Sequence, residues 1–326
     1  MANALKLMAR KALNSFITLL LVVVLNFILF RAMPGSPMMN LRTRPGLPDE
    51  FKDNMIEEFG LDQPLYVQFI EYLKHVFTLD FGNSFTQTLR PAMDMILDNL
   101  VWTLILVGTS SIFMILIGMT IGIIAAWKRG GRFDTGSLAF SLFFYAMPTF
   151  WLSMMLIIIF AIHLQWFPSG SALDFGTELE FSWESFKDLI HRLTLPLISL
   201  TIGSIAAFSI IMRGSLIDVM TEDYITTAKA KGLSDYGVLK NHAVPNAMLP
   251  MVALIAIDIA FVVGGAFQTE YVFDYPGIGW LTVEATFDLD YPVLEAAFFI
   301  IALAVILANL IADILLVYMD PRIKEV

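Results

Sequence analysis

The strongest constraint on this chain is a pair of long runs without a single charged residue. Residues 100–127 and 135–162 each span 28 positions that contain no Asp, Glu, Lys or Arg. At about 1.5 Å per residue, a helix of that length is long enough to cross a membrane at a tilt. The two runs therefore predict transmembrane helices. Pro148 lies inside the second run and predicts a kink there.

Four further apolar runs raise the number of predicted spans to six. The chain is 57% hydrophobic and 15% charged, whereas soluble domains carry about 25% charged residues. Lys6, Arg10 and Lys11 precede the first run as in a signal peptide, but its length and the poor cleavage site at Ala32 favour a retained helix. Arg31 at the end of this helix is expected to reach the outer interface. The predicted fold class is thus an all-α integral membrane protein with six transmembrane helices. The four runs are residues 13–30, 193–212, 243–268 and 296–319.

The charges predict how the spans are oriented. The N-terminal segment, residues 128–134, residues 213–242 and the C-terminal tail together carry 12 Lys and Arg, and the longer alternate segments carry 8. Acidic residues show the opposite bias, 7 against 21. Because basic segments remain in the cytoplasm, both termini are predicted to be cytoplasmic and residues 33–99 to face outward. The chain is expected in the cytoplasmic (inner) cell membrane, as a multi-pass protein surrounded by the lipid bilayer.

The polar segment at residues 33–99 separates the first span from the other five. We predict a division at its end, between residues 1–99, with the first span and a large extracytoplasmic loop, and residues 100–326, the core domain of five spans. Within the segment, a helix is predicted over about 64–77 with Asp62 as its cap. Four apolar residues recur at every fourth position and predict the face on which this helix packs. They are Leu65, Phe69, Leu73 and Phe77.

Residues 220–249 form a polar interval between two apolar runs and predict a pair of short helices, named here the hairpin. The first helix is expected over about 222–231, with acidic residues at its start and lysines at its end, as the helix dipole favours. Gly232 is expected in the left-handed conformation that follows a helix. A second helix is expected over about 234–243, capped by its first serine and ended or kinked by Pro245. A polar hairpin between two membrane spans is well suited to docking a partner in water.

The hairpin resembles the cytoplasmic loop of importer-type ABC permeases, whose pattern is Glu-Ala-Ala, three residues, Gly, nine residues, Ile, one residue, Leu-Pro. Ala228, Gly232 and Pro245 match this pattern, whereas the two threonines before Ala228, His242 and Val244 depart from it. The run Thr-Ala-Lys-Ala-Lys-Gly is similar to the dipeptide and oligopeptide branch of the family. The resemblance assigns ATPase coupling to Thr226, Thr227, Ala228, Lys229, Gly232, Leu233, His242 and Pro245.

Other segments extend the resemblance from about residue 10 to the end of the chain. Residues 59–85 are similar to the peptide branch, and the closing Asp320-Pro321-Arg322 resembles the family's Asp-Pro-Arg. Residues 164–192 match least, which leaves the cargo open. The third extracytoplasmic loop resembles a Glu…Phe…Pro-Gly-(Ile or Leu)-Gly pattern, and a short amphipathic helix is predicted there over about 280–287. The matching loop residues are Glu270, Phe273, Pro276, Gly277 and Gly279.

The chain lacks the residue patterns of the common enzymes and metal sites. It has no cysteine, and its four histidines are scattered without a pair at helical spacing. The stretch most similar to a phosphate-binding loop, between Gly232 and Gly237, lacks the lysine. We therefore expect no enzyme activity, cofactor or metal in this chain, and we assign ATP and Mg to partner ATPase subunits. No basic cluster suggests nucleic acid, and the motifs of intramembrane aspartyl and serine proteases are missing.

Two aspartates lie inside predicted spans, where a charge is costly. Asp258 lies near the middle of the fifth span. It either lines the pore and meets a cationic group or forms hydrogen bonds between helices. Asp313 lies nearer the cytoplasmic end of the sixth span, resembles a usual family residue and is interpreted as structural.

The resemblance implies a type I ABC importer permease fold and a role as one half of a heterodimeric pore. The implied partners are a second homologous permease, two ABC ATPase subunits and an extracytoplasmic substrate-binding protein. The implied mechanism is alternating access driven by ATP, with di- and oligopeptides as the expected cargo and oligosaccharides or nickel complexes as alternatives. A secondary transporter or channel is the alternative of a different class. It predicts inverted repeats, which the sequence does not show.

Overall fold

The computed structural model describes residues 2–44, 48–87, 90–172 and 182–319, without the side chains of residues 2–8, 260 and 312–319. This part of the chain is helical throughout and contains no β-strand. Three of its helices continue into π-helical turns, at Leu104–Gly108, Ile157–His163 and Leu239–Ala243. The helices are α1 (Ala2–Ala32), α2 (Pro37–Thr43), α3 (Asp49–Glu58), α4 (Leu65–Thr78), α5 (Ala92–Thr103), α6 (Thr109–Trp127), α7 (Arg132–Tyr145), α8 (Thr149–Leu156), α9 (Trp183–Met220), α10 (Asp223–Ala230), α11 (Asp235–Val238), α12 (Val244–Val262), α13 (Phe267–Val272), α14 (Ile278–Asp288) and α15 (Tyr291–Met319).

Five helical stretches are long and apolar enough to cross a membrane, and one bent pair of helices brings the number to six. The bent pair consists of α7 and α8, in the region of the predicted third span. The prediction of an all-α membrane protein is confirmed, and the six predicted spans agree with the count in which the bent pair forms one span. The five stretches are Ala9–Ala32, Ala92–Trp127, Trp183–Met220, Asp235–Ile259 and Tyr291–Ile311.

The third span is broken at Pro148 rather than gently kinked. α7 and α8 differ in direction by 97°, and Pro148 is the N-cap of α8. Proline disfavours a helical conformation of the residue before it, which explains the position of the break. With 14 residues on one side and 15 on the other, the two legs are about 21 and 22 Å long. Tilted equally, they cover about 29 Å along the membrane normal, close to the thickness of about 30 Å of the hydrocarbon layer.

Residue contacts divide the described chain into two compact units, and the first contains the chain up to Thr103 together with residues 263–271 and 276–319. α1 packs along α15 in this unit, and α5 packs on α14 and α15. The core is rich in aromatic side chains. Phe27 contacts Phe69 and Tyr72, and Phe30 contacts Phe298.

Arg31 lies inside this core, so the prediction that it reaches the outer interface is wrong. Its side chain is only 7% exposed, and it donates a hydrogen bond to the fully buried carboxylate of Glu295. Its Nε atom also donates to Gln68 Oε1 at 3.2 Å, and its guanidinium stacks over the rings of Phe27 and Tyr291. A buried cation needs such partners. Because Gln68 and Glu295 are far from Arg31 in the sequence, local sequence patterns do not reveal them.

The same polar contact determines which face of α4 is buried. The buried residues are Gln68, Tyr72 and Val76, whereas Leu65 and Phe77 at the ends of the predicted apolar stripe are exposed. The buried face of α4 is therefore rotated relative to the predicted one, and it includes Gln68, which binds Arg31. Asp62 is not the cap of this helix. Its N-cap is Pro64, and no side chain caps the helix there.

The second unit contains residues 104–262 and 272–275. α6 packs along α9 at close range, because a Cβ atom on Gly122 would lie 2.6 Å from the Ser209 carbonyl oxygen. The first turn of α7 is tied to α9 by a bidentate ion pair. Arg213 Nε and Nη2 donate to the Asp134 carboxylate at 2.5 and 2.8 Å. The hairpin belongs to this unit.

Candidate functional site

The first helix of the hairpin ends in the way the sequence predicts. α10 begins after Glu222 and ends with Lys231 as its C-cap. Gly232 has φ +82°, and its N–H donates to the Lys229 carbonyl at 2.9 Å, while the N–H of Leu233 donates to the Ala228 carbonyl at 3.4 Å. These two hydrogen bonds define a Schellman motif, in which glycine supplies the left-handed residue. The turn between the two hairpin helices is therefore set by the local sequence.

The second helix of the hairpin does not end at Pro245, and this part of the prediction is wrong. Ser234 caps α11 as expected, with its Oγ accepting the N–H of Gly237 at 3.2 Å. α11 then widens into its π-helical turn and continues directly into α12. In the π turn the N–H of Val244 donates to the carbonyl of Leu239, five residues back. The helical hydrogen-bond pattern has therefore already changed from the usual four-residue spacing before it reaches Pro245, which has no N–H to donate. The helical stretch that contains the fifth span accordingly begins at Asp235, whereas the sequence predicted the span from about Ala243.

One face of the hairpin is buried in the core of the second unit. Ile225 and Ala228 lie one turn apart on α10 and are buried, as are Val238 and Ala243 on the second helix. They belong to one apolar cluster with Met114 of α6 and with Phe208, Met212 and Leu216 of α9. The Oγ atom of Ser215 on α9 also donates to the carbonyl of Ala247 on α12 at 3.0 Å. The hairpin is therefore packed onto the ends of three spans.

The opposite face of the hairpin is exposed and carries most of the predicted coupling residues. Thr226, Thr227, Lys229, Gly232 and Pro245 are exposed, Leu233 and His242 are partly exposed, and Ala228 faces the core. Two tyrosines on this face were not predicted. Tyr224 is 41% exposed and Tyr236 is 68% exposed. Aromatic residues are enriched at protein interfaces, so two tyrosines in a polar hairpin were a signal available in the sequence.

Asp258 lies on α12 beside Ser111 of α6. The Asp258 Oδ2 atom and the Ser111 Oγ atom are both buried, and the two side chains lie close enough to interact, but neither atom forms a hydrogen bond of normal geometry within the described residues. The exposed side chains of Ile257, Ile259 and Phe261 surround this position on α12. Asp313 lies on α15 in the stretch whose side chains fall outside the described residues.

The residues of the loop pattern between Glu270 and Gly279 form an internal support rather than an exposed surface. The Glu270 carboxylate accepts four hydrogen bonds, from the N–H groups of Ala266 (3.1 Å), Gly279 (2.7 Å) and Trp280 (3.2 Å) and from the Thr103 hydroxyl (3.1 Å). The Thr103 oxygen also accepts the N–H of Ile278 at 2.8 Å. These six residues, with Gly277, are named the Glu270 cradle. The cradle binds the first N–H groups of α14, which lack partners within the helix.

The two glycines of the loop pattern leave room for this carboxylate. A Cβ atom on Gly277 would lie 2.3 Å from Glu270 Oε2, and one on Gly279 would lie 2.8 Å from the same atom. Burial raises the pKa of the Glu270 carboxyl above its ordinary value, against the hydrogen bonds that lower it. Phe273 is buried in the second unit, where its carbonyl accepts the N–H of Ser171 at 2.9 Å. Pro276 is partly exposed, and α14 (Ile278–Asp288) contains the helix predicted over about 280–287.

A second buried carboxylate follows the C-terminal end of α14 and binds the segment of residues 84–86. Asp290 accepts hydrogen bonds from the hydroxyls of Ser84 (2.6 Å) and Thr86 (2.9 Å) and from the N–H groups of Phe85 (3.1 Å) and Thr86 (3.2 Å). Burial raises the pKa of its carboxyl as well. Within the described residues, no group of three or more His, Asp or Glu side chains is arranged to hold a metal ion.

Comparison with known families places almost the entire chain within one group of membrane proteins. Residues 118–325 match the family described as the binding-protein-dependent transport system inner membrane component. Residues 4–107 match the N-terminal family of the same membrane components.

Individual relatives agree with this match over nearly their full length. The oligopeptide transport system permease protein AppB of Bacillus subtilis (strain 168) is 35% identical, over 97% of this chain and 98% of the relative. The di/tripeptide transport system permease protein DppB of Pseudomonas aeruginosa is 33% identical over 93% and 94%. The glutathione transport system permease protein GsiC of Salmonella choleraesuis is 36% identical over 97% of both chains.

One solved structure shares the fold. It shows the MetNI methionine ABC transporter in inward-facing conformations and has a TM-score of 0.54 at 16% identity, covering 70% of this chain and 97% of that one. At this identity the likeness concerns the fold alone.

Proposed function

Because the chain belongs to the family of binding-protein-dependent transport system inner membrane components, we propose that it imports peptides as one half of an ATP-driven pore. It is a multi-pass membrane permease and not an enzyme, since the ATPase of such an importer is a separate subunit. The near full-length similarity to permeases named for oligopeptides, di- and tripeptides and glutathione carries the cargo assignment. It is the main support for choosing peptides over sugars or nickel complexes.

The proposed assembly contains this chain, a second homologous permease, two ABC ATPase subunits that bind ATP and Mg, and an extracytoplasmic substrate-binding protein. Both termini and the hairpin lie in the cytoplasm. The bias of Lys and Arg toward these segments supports this orientation. It places the exposed face of the hairpin where an ATPase can reach it.

The proposed coupling element is the exposed face of the hairpin, from Thr226 to Pro245. Closure of the ATPase dimer moves this face, and two structural features support transmission into the spans. α11 and α12 are continuous through the π turn, so a displacement of the hairpin acts along the fifth span. Ile225 and Ala228 belong to the same buried apolar cluster as Met212 and Leu216 of α9, so the same displacement acts on a second span. Alternating access then follows from the rocking of these spans.

Asp258 is proposed to line the translocation path, with Asp313 in a structural role. The support for this role of Asp258 is a buried carboxylate oxygen that forms no hydrogen bond of normal geometry, although the Ser111 hydroxyl lies beside it. A carboxylate at this depth attracts a cationic group of the cargo or of the second permease. Asp258→Asn is expected to slow uptake of lysine-containing peptides about tenfold and to leave neutral peptides within about twofold, a selective loss of about 1.4 kcal/mol. Equal uptake of both cargoes by the variant would assign Asp258 to helix packing.

The assembly is tested by purifying the chain from its native membrane in mild detergent and identifying the proteins that accompany it. We expect an ATPase with a phosphate-binding loop, a second permease and a substrate-binding protein, and that binding protein is then screened with peptides, sugars and nickel. Recovery of the chain alone, with transport intact after reconstitution, would contradict the proposal. In that case a secondary transporter would be the better description.

A further inference from the structure

A pocket of about 410 Å³ lies beside the hairpin, at the ends of two spans. Trp127 and Arg129 line it from the end of α6, and Thr221 lines it from the end of α9. Lys229 and Asp235 line it from the two helices of the hairpin. Its volume falls in the range of about 300–1,000 Å³ that is usual for small-molecule sites. The coupling role proposed above does not require a cavity here.

Arg129 brings a positive charge to the pocket that no carboxylate neutralises directly. The acidic group near it is Asp134, which is already held by the bidentate contact from Arg213 and by the N–H of Gly130 at 2.9 Å. In the described ranges of the chain, Arg129 forms no ion pair. Its guanidinium is therefore free to bind an anion.

Lys229 supplies the second cation, and its contact with Asp235 is weak. The Lys229 Nζ and Asp235 Oδ1 atoms are 3.9 Å apart, and the Asp235 side chain is 72% exposed. An ion pair of this kind contributes little in water. The pocket thus contains two cations against one exposed carboxylate, with exposed Lys128 and Arg132 close by in the chain.

The position of the pocket matches the level of lipid headgroups. The uncharged run of α6 ends at Trp127, directly before Lys128 and Arg129, and the exposed indole of Trp127 is typical of the membrane–water interface. Basic pockets between spans on the cytoplasmic side bind phosphate-bearing headgroups. We propose that this pocket binds a phosphate-bearing anion between Arg129 and Lys229.

A bound anion of this kind would join the hairpin to the spans, because Lys229 lies on α10 and Arg129 follows α6. It would hold α10 against the second unit while the ATPases act on its other face. The inference rests on the proposed function for the cytoplasmic position of the pocket and for this effect on coupling. An anionic phospholipid and soluble phosphate share the required chemistry, and they are distinguished by experiment.

The test measures which lipids remain bound to the full chain. The purified chain, alone and in its complex, is placed in nanodiscs of phosphatidylcholine with increasing phosphatidylglycerol or cardiolipin, and retained lipid is counted by native mass spectrometry. Arg129→Gln removes one pocket cation. Lys128→Gln is the matched control, since it removes the neighbouring charge, which lies over the Phe133 ring and does not line the pocket. We expect anionic lipid to bind about tenfold more weakly to Arg129→Gln and unchanged to Lys128→Gln.

The possible outcomes distinguish a bound phospholipid from a soluble anion and include two results that would overturn the proposed site. Retention of anionic lipid that millimolar phosphate does not displace identifies a phospholipid, and displacement by phosphate identifies a soluble anion. Equal retention by the wild type, Arg129→Gln and Lys128→Gln overturns the site. Loss of the ATPase from Arg129→Gln in phosphatidylcholine alone also overturns it, because the pocket would then be a protein interface. Because retention is scored on the chain alone as well, it remains interpretable even if no ATPase partner is found.

Discussion

The hairpin and the Glu270 cradle both contain glycines that match family patterns, but those glycines have opposite surroundings. A Cβ atom on Gly232 would meet nothing within 4 Å, whereas one on Gly277 would lie 2.3 Å from a carboxylate oxygen. Gly232 is needed for its positive φ at an exposed turn. Gly277 is needed because a buried carboxylate occupies the space beside it. The same residue type in two patterns thus marks an accessible surface in one case and an internal support in the other.

The cradle and the hairpin also differ in what their polar groups contact. In the cradle, four donors bind the Glu270 carboxylate and the N–H of Ile278 binds the Thr103 oxygen, so these polar groups are satisfied inside the unit. In the hairpin, the backbone groups of the turn are satisfied locally, and the side chains of Thr226 and Lys229 remain exposed. A segment whose polar groups are satisfied internally stabilises the fold, and one whose side chains are exposed can bind a partner.

The largest effect that this comparison predicts is the loss of stability in Gly277→Ala. The new methyl group collides with Glu270 Oε2 and lies 2.6 Å from Thr103 Oγ, so the cradle must open. We expect a destabilisation of at least about 2 kcal/mol, in the upper part of the range for overpacked sites. Thermal unfolding in detergent, followed by fluorescence-detected size exclusion, measures it. Gly203→Ala is the control, because nothing lies within 4 Å of its Cβ position. Equal melting of both variants would contradict the internal role of the cradle.

The next effect is the loss of coupling in Gly232→Arg, with the fold retained. The bulky cation projects from the exposed turn toward the proposed ATPase, so binding-protein-stimulated ATPase activity should fall at least about tenfold, equivalent to about 1.4 kcal/mol. Any non-glycine residue at φ +82° also costs about 1–2 kcal/mol locally. Gly232→Ala carries that strain without the bulk, and Gly232→Asn tolerates the conformation better.

This series separates docking from strain at the hairpin turn. Activity within about twofold of wild type in Gly232→Asn, a modest loss in Gly232→Ala and a large loss in Gly232→Arg supports docking. A loss in Gly232→Ala as large as that in Gly232→Arg would mean that the conformation of the turn, rather than contact with a partner, is responsible. Normal stimulated activity in Gly232→Arg would remove the hairpin from the coupling pathway altogether.

The smallest effect is the pH dependence contributed by Glu270. Its pKa is raised above 4.5 in the native state, so the native state binds more protons than the unfolded state between pH 4.5 and the raised value. Stability therefore falls as the pH rises through that interval. Glu270→Gln cannot titrate, and although it is less stable overall, its melting temperature should decline less between about pH 5 and pH 8. The pKa of Asp290 is also raised, so this residue contributes to the decline in melting temperature in both the wild type and Glu270→Gln. Identical slopes would show that Glu270 is ionised throughout.

Sequence patterns predicted the local features of the hairpin well and its long-range contacts poorly. The left-handed Gly232, the Ser234 cap and the break at Pro148 each follow from a few neighbouring residues, and each is observed. The passage of the helix through Pro245 was missed, because the π turn that accommodates it has no simple sequence signature. The size of the bend at Pro148 was missed as well, since it depends on packing.

Polar contacts between distant segments were the least predictable part of the structure. Arg31 with Glu295 and Asp134 with Arg213 join residues that are 264 and 79 positions apart. The pattern around Glu270 was recognised as a loop motif, yet its role as a helix cap depends on Thr103, 167 positions away. Such partners can be identified only from the three-dimensional packing of the helices.

The most direct test of the central claim is cross-linking from single cysteines, which is clean because the chain contains none. Thr227→Cys and Tyr236→Cys place a thiol on the exposed face of the hairpin, and Phe287→Cys places one on the exposed end of α14 as the control. In the purified complex, a short bifunctional maleimide reagent should join the hairpin cysteines to an ATPase subunit, with a yield that changes on addition of ATP. The Phe287→Cys variant should give no such product. Absence of an ATPase cross-link from both hairpin positions, in a complex that still hydrolyses ATP, would contradict the account.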